Sequence, residues 1–184
     1  MIHRIEILTS PRHEEPVGRH LLERIRLLGN VSLESLRAVS VYSFDAGALG
    51  RDNGGRGSDG LGSNGLDEAA LRALGSELFT DPVLHETLVN GEVLARGEFD
   101  WYVEVGFRPG VTDNVGRTAQ ESLEYRLGRP LAPGYHVHSA TGYLLRGGLT
   151  REQVEALASE WLGNDLIQQH LVLGAGDLEK AETR

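Results

Sequence analysis

The chain has 184 residues, of which 40% are hydrophobic, and this is enough for one ordinary domain or two small ones. Its 18 basic and 27 acidic side chains give a net charge of −9, which opposes binding to the phosphate backbone of nucleic acids. The absence of cysteine excludes disulfides and thiolate metal sites, and no run approaches the roughly 18 apolar residues of a membrane helix. We therefore expect a cytoplasmic protein that binds neither nucleic acid nor membrane.

The first half of the chain predicts a strand, a helix, a strand, a helix and a final extended stretch. Alternating apolar residues predict strands over residues 3–9 and 36–44, because every second side chain of a strand can face a core. An amphipathic helix is expected over residues 67–79, and residues 83–93 are expected to be extended.

Glycines are concentrated in residues 47–65, within this first half. The segment has few large apolar side chains to offset the entropy lost on ordering it. No Gly-Lys-Ser or Gly-Lys-Thr follows, although a phosphate-binding loop requires one. We interpret the segment as a flexible insertion.

The second half predicts the same order of elements. Strands are expected over residues 101–108 and 136–145, a helix over residues 150–162, and an extended stretch over residues 166–173. Thr150 and Gln153 form a capping-box pattern at the start of the second helix.

The first helix of the second half has a clear beginning, end and apolar face. Asp113 or Thr112 stands at its N-cap position, and Gly128 is a typical C-cap. Four apolar residues recur at four-residue spacing and predict one buried stripe, namely Val115, Ala119, Leu123 and Leu127.

The two halves match each other in sequence. When the two halves are aligned without gaps inside each segment, three groups of residues match: Ile5-Glu6-Ile7 with Val103-Glu104-Val105, Val17-Gly18-Arg19 with Val115-Gly116-Arg117, and Ala73-Leu74 with Ala156-Leu157. Such self-similarity predicts an internal duplication. We place the first repeat at residues 1–95, the second at residues 98–174, and a tail or linker at residues 175–184.

The predicted fold class is α+β. Each repeat is a βαβαβ unit that should place its helices on one face of a small antiparallel or mixed sheet. Because units of roughly 75 to 90 residues are near the lower limit of independent stability, we expect the two to pack as a pseudo-dimer.

Three segments of the second half, residues 103–123, 143–146 and 162–168, carry a family resemblance. Asp113 and Gly116 form an Asp-x-x-Gly motif, and Leu162, Asn164 and Ile167 form a Leu-x-Asn-x-x-Ile motif. In these motifs the chain resembles PurS, the small subunit of phosphoribosylformylglycinamidine synthase.

The first half departs from both motifs of this family. It keeps Gly18, but Glu15 replaces the aspartate of the first motif. Asp81 and Pro82 stand where the second half has Asn164 and Asp165. The resemblance alone therefore assigns the first half no motif-specific role.

The resemblance implies a non-catalytic bridging component of de novo purine biosynthesis. Such a subunit helps ammonia from the glutaminase reach the ATP-dependent synthetase, so ATP and magnesium belong to the synthetase partner and this chain has no cofactor. Large single-chain synthases carry a tandem PurS-like region at their N-terminus, so residues 175–184 are either a terminus or the start of a linker. Self-association stays open.

Each candidate site residue also has a structural explanation. Arg19, Arg108 and Arg117 lie near the strand-to-helix turns, where they can bind acidic groups of a partner or form surface ion pairs. Trp101 is either a core residue or an interface anchor. Four residues are best explained as capping or turn positions: Gly18, Asp113, Gly116 and Asn164.

Two other functions remain as alternatives. Paired strand-helix units can hold a small molecule at their symmetric interface, so the chain can instead be a regulatory module with a ligand between its repeats. His136 and His138 share one face of a predicted strand and can bind a metal if a third ligand converges, so the chain can also be an enzyme that uses this pair. We expect a surface or core role for this pair and neither a metal nor catalytic residues in the chain.

Overall fold

The computed structural model describes residues 2–29, 31–49, 61–62 and 65–177. Most of the predicted glycine-rich insertion, namely residues 50–60, 63 and 64, lies outside the described residues, as do residues 178–184 of the predicted tail. The described chain is α+β, which confirms the predicted class.

The elements follow in this order along the chain. The first half contains β1 (Ile2–Thr9), α1 (Pro16–Leu28), β2 (Ser35–Asp45), a 3-10 turn (Ala46–Leu49), the short strands β3 (Leu61–Gly62) and β4 (Gly65–Leu66), α2 (Glu68–Leu78), β5 (His85–Val89) and α3 (Glu92–Ala95). The second half contains β6 (Trp101–Phe107), α4 (Asn114–Leu127), β7 (His138–Arg146), α5 (Arg151–Leu157), a π-helical turn (Ala158–Leu162) and β8 (Gln168–Gly174). The first and second strand of each half and the predicted helix over residues 67–79 agree with the structure to within two residues. The helix predicted over residues 150–162 is α5 continued by the π-helical turn.

Six strands form one open antiparallel sheet in the order β5-β1-β2-β7-β6-β8. Each half contributes three adjacent strands, and its first strand stands between the other two. On β6, Trp101 is paired with Leu145 of β7 and with Gly174 of β8. β7 begins at His138, so His136 lies before the strand and not on it as predicted.

The described residues divide into two compact units, and each unit combines elements of both halves. The first comprises residues 1–8, 41–92 and 113–139. Its core joins Ile5 and Ile7 of β1 and Leu71 of α2 with Ala119 and Leu123 of α4. Helix α4, from the second half of the sequence, therefore packs in one core with the first strand of the first half.

The second compact unit comprises the described residues within 9–40, 93–112 and 140–184. Here Ile25 of α1, which is fully buried, joins Val103 and Val105 of β6, Leu145 of β7 and Val154 of α5. Helix α1, from the first half, therefore packs in one core with strands of the second half. Both cores consist mainly of aliphatic side chains, whose burial is the main stabilising contribution.

The caps predicted for the second half are confirmed. The Asp113 side chain caps α4, and Gly128 ends that helix in the left-handed conformation, with φ of 66°. Thr150 and Gln153 form both hydrogen bonds of the capping box of α5.

The predicted apolar stripe of α4 is wrong at its first position. Val115 is 55% exposed, whereas Ala119 and Leu123 are buried and Leu127 is partly buried. The buried face begins instead at Gly116, one residue later, because this part of the helix lies directly against the backbone of Val137, just before β7. A valine in the first turn is therefore directed to solvent.

No helix in the described part of the chain is both long and apolar enough to span a bilayer.

Candidate functional site

In the second half, one carboxylate joins the start of α4 to the start of β7. Asp113 Oδ1 accepts hydrogen bonds from the backbone N–H of Gly116, at 2.7 Å, and from the hydroxyl of Ser139, at 2.7 Å. Its Oδ2 accepts from the backbone N–H of Ser139 at 2.6 Å. Asp113 thus satisfies a free helix N–H and a strand N–H together, which fixes the helix against the strand.

Glu15 forms the corresponding junction in the first half. Its carboxylate accepts from the backbone N–H groups of Val17 at 2.9 Å and Gly18 at 2.6 Å, at the start of α1. It also accepts from the N–H of Ala38 on β2 at 3.0 Å. The replacement of aspartate by glutamate therefore preserves the local role of this position, and alanine stands where the second half has Ser139.

Both junctions require glycine in the first turn of the helix. A Cβ atom on Gly116 would lie 2.5 Å from the carbonyl oxygen of Val137, and one on Gly18 would collide with the carbonyl oxygen of Leu36. Because those oxygens belong to backbone, that of Val137 directly before β7 and that of Leu36 on β2, they cannot move aside as a flexible side chain would. The glycines thus permit helix and strand to approach more closely than any other residue allows.

A tyrosine lies near each junction carboxylate. Burial, and secondarily the charge of Asp113, raises the pKa of Tyr42, which stacks on Phe79 with ring centroids 4.5 Å apart. Burial, and secondarily the charge of Glu15, raises the pKa of Tyr143. Each tyrosine belongs to the half of the sequence that does not supply the nearby carboxylate.

Asn164 organises the turn before β8. Its side-chain oxygen accepts from the N–H of Leu166 at 3.0 Å, and its carbonyl accepts from the N–H groups of Ile167 and Gln168. Its own N–H donates to the side-chain oxygen of Gln168 at 2.8 Å. The Leu-x-Asn-x-x-Ile motif is therefore a hydrogen-bonded turn that leads into the strand.

Asp81 makes the same turn before β5. Its Oδ1 accepts from the N–H groups of Val83 and Leu84, and its carbonyl accepts from those of Leu84 and His85. Its N–H donates to Nδ1 of His85 at 3.2 Å. The difference between Asp81 and Asn164 in sequence thus leaves the turn intact.

We expect Asn164→Asp to be almost neutral, because Asp81 already shows that a carboxylate can organise this turn. Asn164→Ala removes the acceptor for Leu166 and should lower the free energy of unfolding by about 1 kcal/mol. Urea unfolding of both variants measures the difference. Equal losses for the two variants would show that the side-chain acceptor is not what stabilises the turn.

Arg108 also stabilises the turn that Asn164 organises. Its Nε donates to the carbonyl oxygens of Asp165 at 3.0 Å and Gln168 at 2.8 Å. Its backbone N–H donates to the carbonyl of Ile167 at 3.0 Å. A structural role is therefore evident for Arg108, and its predicted interface role stays a prediction.

The other two predicted interface arginines lie on the first helix of each half. Arg19 forms an ion pair with Glu14 at 2.6 Å, and Arg117 forms one with Glu121 at 3.1 Å. Both guanidinium groups are more than half exposed, and such pairs contribute about 0 to 1 kcal/mol to stability. Their exposure leaves them accessible to a partner.

Trp101 packs against the core of the second compact unit. Its indole N–H donates to the carbonyl of Leu149 at 3.1 Å, and the Arg151 guanidinium lies 5.3 Å from the centre of its ring. The side chain is partly buried, which agrees with a packing role. An interface role for Trp101 also stays a prediction.

His136 and His138 line a cavity at the end of β2. Their ring centroids are 6.5 Å apart. No group of three histidine, aspartate or glutamate side chains converges as metal ligands in the described ranges. The third ligand that a metal-dependent enzyme would need beside this pair is therefore not found among those residues.

A buried imidazole was missed by sequence reasoning. His3 is 2% exposed, its ring lies 5.6 Å from that of Phe44, and neither ring nitrogen has a hydrogen-bond partner in the described structure. Burial lowers the pKa of His3 below the ordinary value of 6.5, although the charge of Asp45 opposes this shift. The alternation of β1 places His3 on the same face as Ile5 and was the available signal.

This pKa shift predicts acid destabilisation. As the pH falls below 6.5, the unfolded chain binds a proton at His3 before the folded chain does, so the free energy of unfolding decreases until the folded-state pKa is passed. His3→Phe should remove this pH-dependent loss of stability, and it should raise the free energy of unfolding by about 1 kcal/mol at neutral pH. Urea unfolding at pH 7.5 and 5.5 tests it, with exposed His20→Gln as the control. An unchanged pH dependence in His3→Phe would contradict it.

Comparison of the chain with models of known protein families finds no matching family, and a search of curated proteins finds no significantly similar chain.

Proposed function

We propose that this chain is a tandem PurS-like bridging component of phosphoribosylformylglycinamidine synthase. In this role it holds the glutaminase beside the ATP-dependent synthetase, so that ammonia released from glutamine reaches the synthetase. The two halves are PurS-like repeats packed as a pseudo-dimer. The chemistry, with its ATP and magnesium, takes place in the partners.

The observation that carries the proposal is the repeated junction of carboxylate and glycine. Asp113 with Gly116 and Glu15 with Gly18 make equivalent bonds to a strand of their own half, although the residues differ. The residues at the PurS-like motif positions thus hold a helix against a strand in both halves. A bridging protein depends on such a scaffold, since its task is to present surfaces at a fixed spacing.

The second motif supports the same interpretation. The turns organised by Asp81 and Asn164 share one hydrogen-bond pattern. Each exposes two neighbouring apolar side chains, listed here with their exposed fractions: Val83 (71%) and Leu84 (42%) in the first half, Leu166 (87%) and Ile167 (42%) in the second. Exposed apolar side chains on a rigid turn are suited to protein contact.

Charge and exposure identify further contact candidates. Arg19 and Arg117 occupy corresponding positions on α1 and α4, where each is already paired with a glutamate. A partner carboxylate can replace that glutamate, since exposed ion pairs exchange at little cost. We therefore assign these two arginines to the partner-facing surface.

Assembly with the partners tests the proposal. The chain is mixed with the cognate glutaminase and a synthetase that lacks this region, and the mixture is analysed by size-exclusion chromatography with light scattering. The proposal predicts one species that contains all three proteins, and weaker assembly for the double variant Arg19→Glu, Arg117→Glu. Separate elution of the chain at micromolar concentration, with the partners active, would overturn it.

A further inference from the structure

The cavity at the end of β2 has walls from both halves of the sequence. Its volume is 160 Å³. The first half supplies Ser43, Phe44 and Asp45, and the segment before β7 supplies Tyr135 and His136, with His138 at the start of that strand. Tyr135 and the two histidines offer exposed aromatic rings and Asp45 a carboxylate, whereas Phe44 is 2% exposed and belongs to the core of the first compact unit.

A glycine lines the cavity at a position where the first half has a leucine. Leu36 and Val137 occupy corresponding positions in the two halves, because their carbonyl oxygens face Gly18 and Gly116. The residues three positions earlier, Leu33 and Gly134, therefore also correspond. The Leu33 side chain is buried in the core of the second compact unit, whereas Gly134 lines the cavity and has open space where a Cβ would stand. With φ of 86°, Gly134 also has a backbone conformation that favours glycine.

The walls are held in position by local contacts. Asp45 Oδ1 accepts from the backbone N–H of Gly47 at 2.7 Å. A Cβ on Gly47 would lie 2.8 Å from the Tyr135 hydroxyl oxygen, so the absence of a side chain lets that phenol pack against the backbone. Groups already fixed in place lose little entropy when a ligand binds.

Aromatic faces with one carboxylate are the chemistry that recognises an organic cation. The rings attract positive charge through their quadrupoles, and a carboxylate adds direct attraction. The net charge of −9 further favours a cation over an anion. A cavity of about 150 Å³ holds a benzene-sized molecule, so this one accommodates a trimethylammonium group.

We propose that this cavity is a binding site for a small organic ammonium ion. The rings of Tyr135 and the two histidines line the site of the cationic group, and Asp45 neutralises its charge. The site does not depend on the bridging function. If the chain is instead a small-molecule-binding module, this cavity is where its ligand would bind.

Titration with choline tests the site in the whole chain. The ring protons of His136 and His138 are followed by NMR, and the melting temperature is measured in parallel. Dimethylbutanol, the uncharged carbon isostere of choline, and sodium chloride at equal ionic strength are the ligand controls. Saturable shifts of both histidine rings with choline, at least tenfold weaker with dimethylbutanol, are the expected result.

Three variants distinguish the effect of the Asp45 charge on choline binding from the effect of the cavity's shape. Asp45→Asn keeps an oxygen that can accept from Gly47 but removes the charge, so it should weaken choline binding about tenfold. Ser43→Phe fills the cavity and should abolish binding. Glu160→Gln removes an exposed carboxylate elsewhere and should leave the affinity unchanged.

Three results would overturn the proposal. The first is that choline and dimethylbutanol shift the histidine signals equally. The second is that the shifts grow linearly with choline concentration and sodium chloride reproduces them. The third is saturable choline binding whose affinity neither Asp45→Asn nor Ser43→Phe changes. The last result would place the binding site elsewhere.

Discussion

Gly116→Ala should lower the free energy of unfolding by about 3 kcal/mol, at the upper end of the cost of overpacking. The added methyl group would lie 2.5 Å from the Val137 carbonyl oxygen and would also meet the Asp113 carboxylate. The helix must therefore withdraw from the strand, which breaks the junction formed by Asp113. Gly18→Ala should cost a similar amount, because it meets the Leu36 carbonyl and the Glu15 carboxylate.

Gly148→Ala is the matched control for both substitutions. Gly148 is exposed, and a Cβ there would have no atom within 4 Å. Its substitution should change stability by less than about 0.5 kcal/mol. Urea unfolding of the three variants gives the comparison, and a Gly116→Ala protein as stable as Gly148→Ala would show that helix and strand are not in close contact.

Asp113→Ala should cost about 3 kcal/mol. It removes a helix cap, which is worth about 1 kcal/mol, and it leaves the partly buried N–H of Ser139 without its acceptor, which costs about 1 to 3 kcal/mol. Ser139→Ala alone removes one hydroxyl bond and should cost about 1 kcal/mol. Chemical denaturation of both variants measures the two contributions.

The first half supplies a matched compensating variant. There the longer Glu15 stands opposite Ala38, which has no hydroxyl, whereas the shorter Asp113 stands opposite Ser139. The double variant Asp113→Glu, Ser139→Ala reproduces the first pair and should recover most of the stability that Asp113→Ala loses. If it is no more stable than Asp113→Ala, the two junctions are not equivalent.

Local signals predicted the ends of elements well. The cap residues Asp113, Gly128 and Thr150 were identified from sequence, because capping depends on residues within one turn of the helix. The alternation of apolar residues similarly located β1, β2 and β6. In all of these cases the determining contacts are close in sequence.

Contacts between distant residues could not be predicted in the same way. The buried face of α4 begins at Gly116 and not at Val115, because the Val137 backbone occupies the space beside it. The role of Ser139 as a partner of Asp113 depends on a strand 26 positions further along the chain. The correspondence of the two halves was the available signal, since it relates Glu15 and Asp81 to the better matched residues of the second half.

The composition of the compact units was also beyond sequence reasoning. The sequence repeats run consecutively, yet Ile25 of the first half is buried with strands of the second, and Leu123 of the second half is buried with strands of the first. Amphipathic periodicity indicates that a helix buries one face, but it does not indicate which strands cover that face. This choice depends on the three-dimensional arrangement alone.

Glutamine-dependent formation of phosphoribosylformylglycinamidine tests the bridging function most directly. The rate is measured with the cognate glutaminase and a synthetase that lacks this region, with and without the chain, and ammonia replaces glutamine in the control reaction. The proposal predicts that the chain restores the glutamine-dependent rate and leaves the ammonia-dependent rate nearly unchanged. A glutamine-dependent rate that does not respond to the chain, with both partners active, would contradict it.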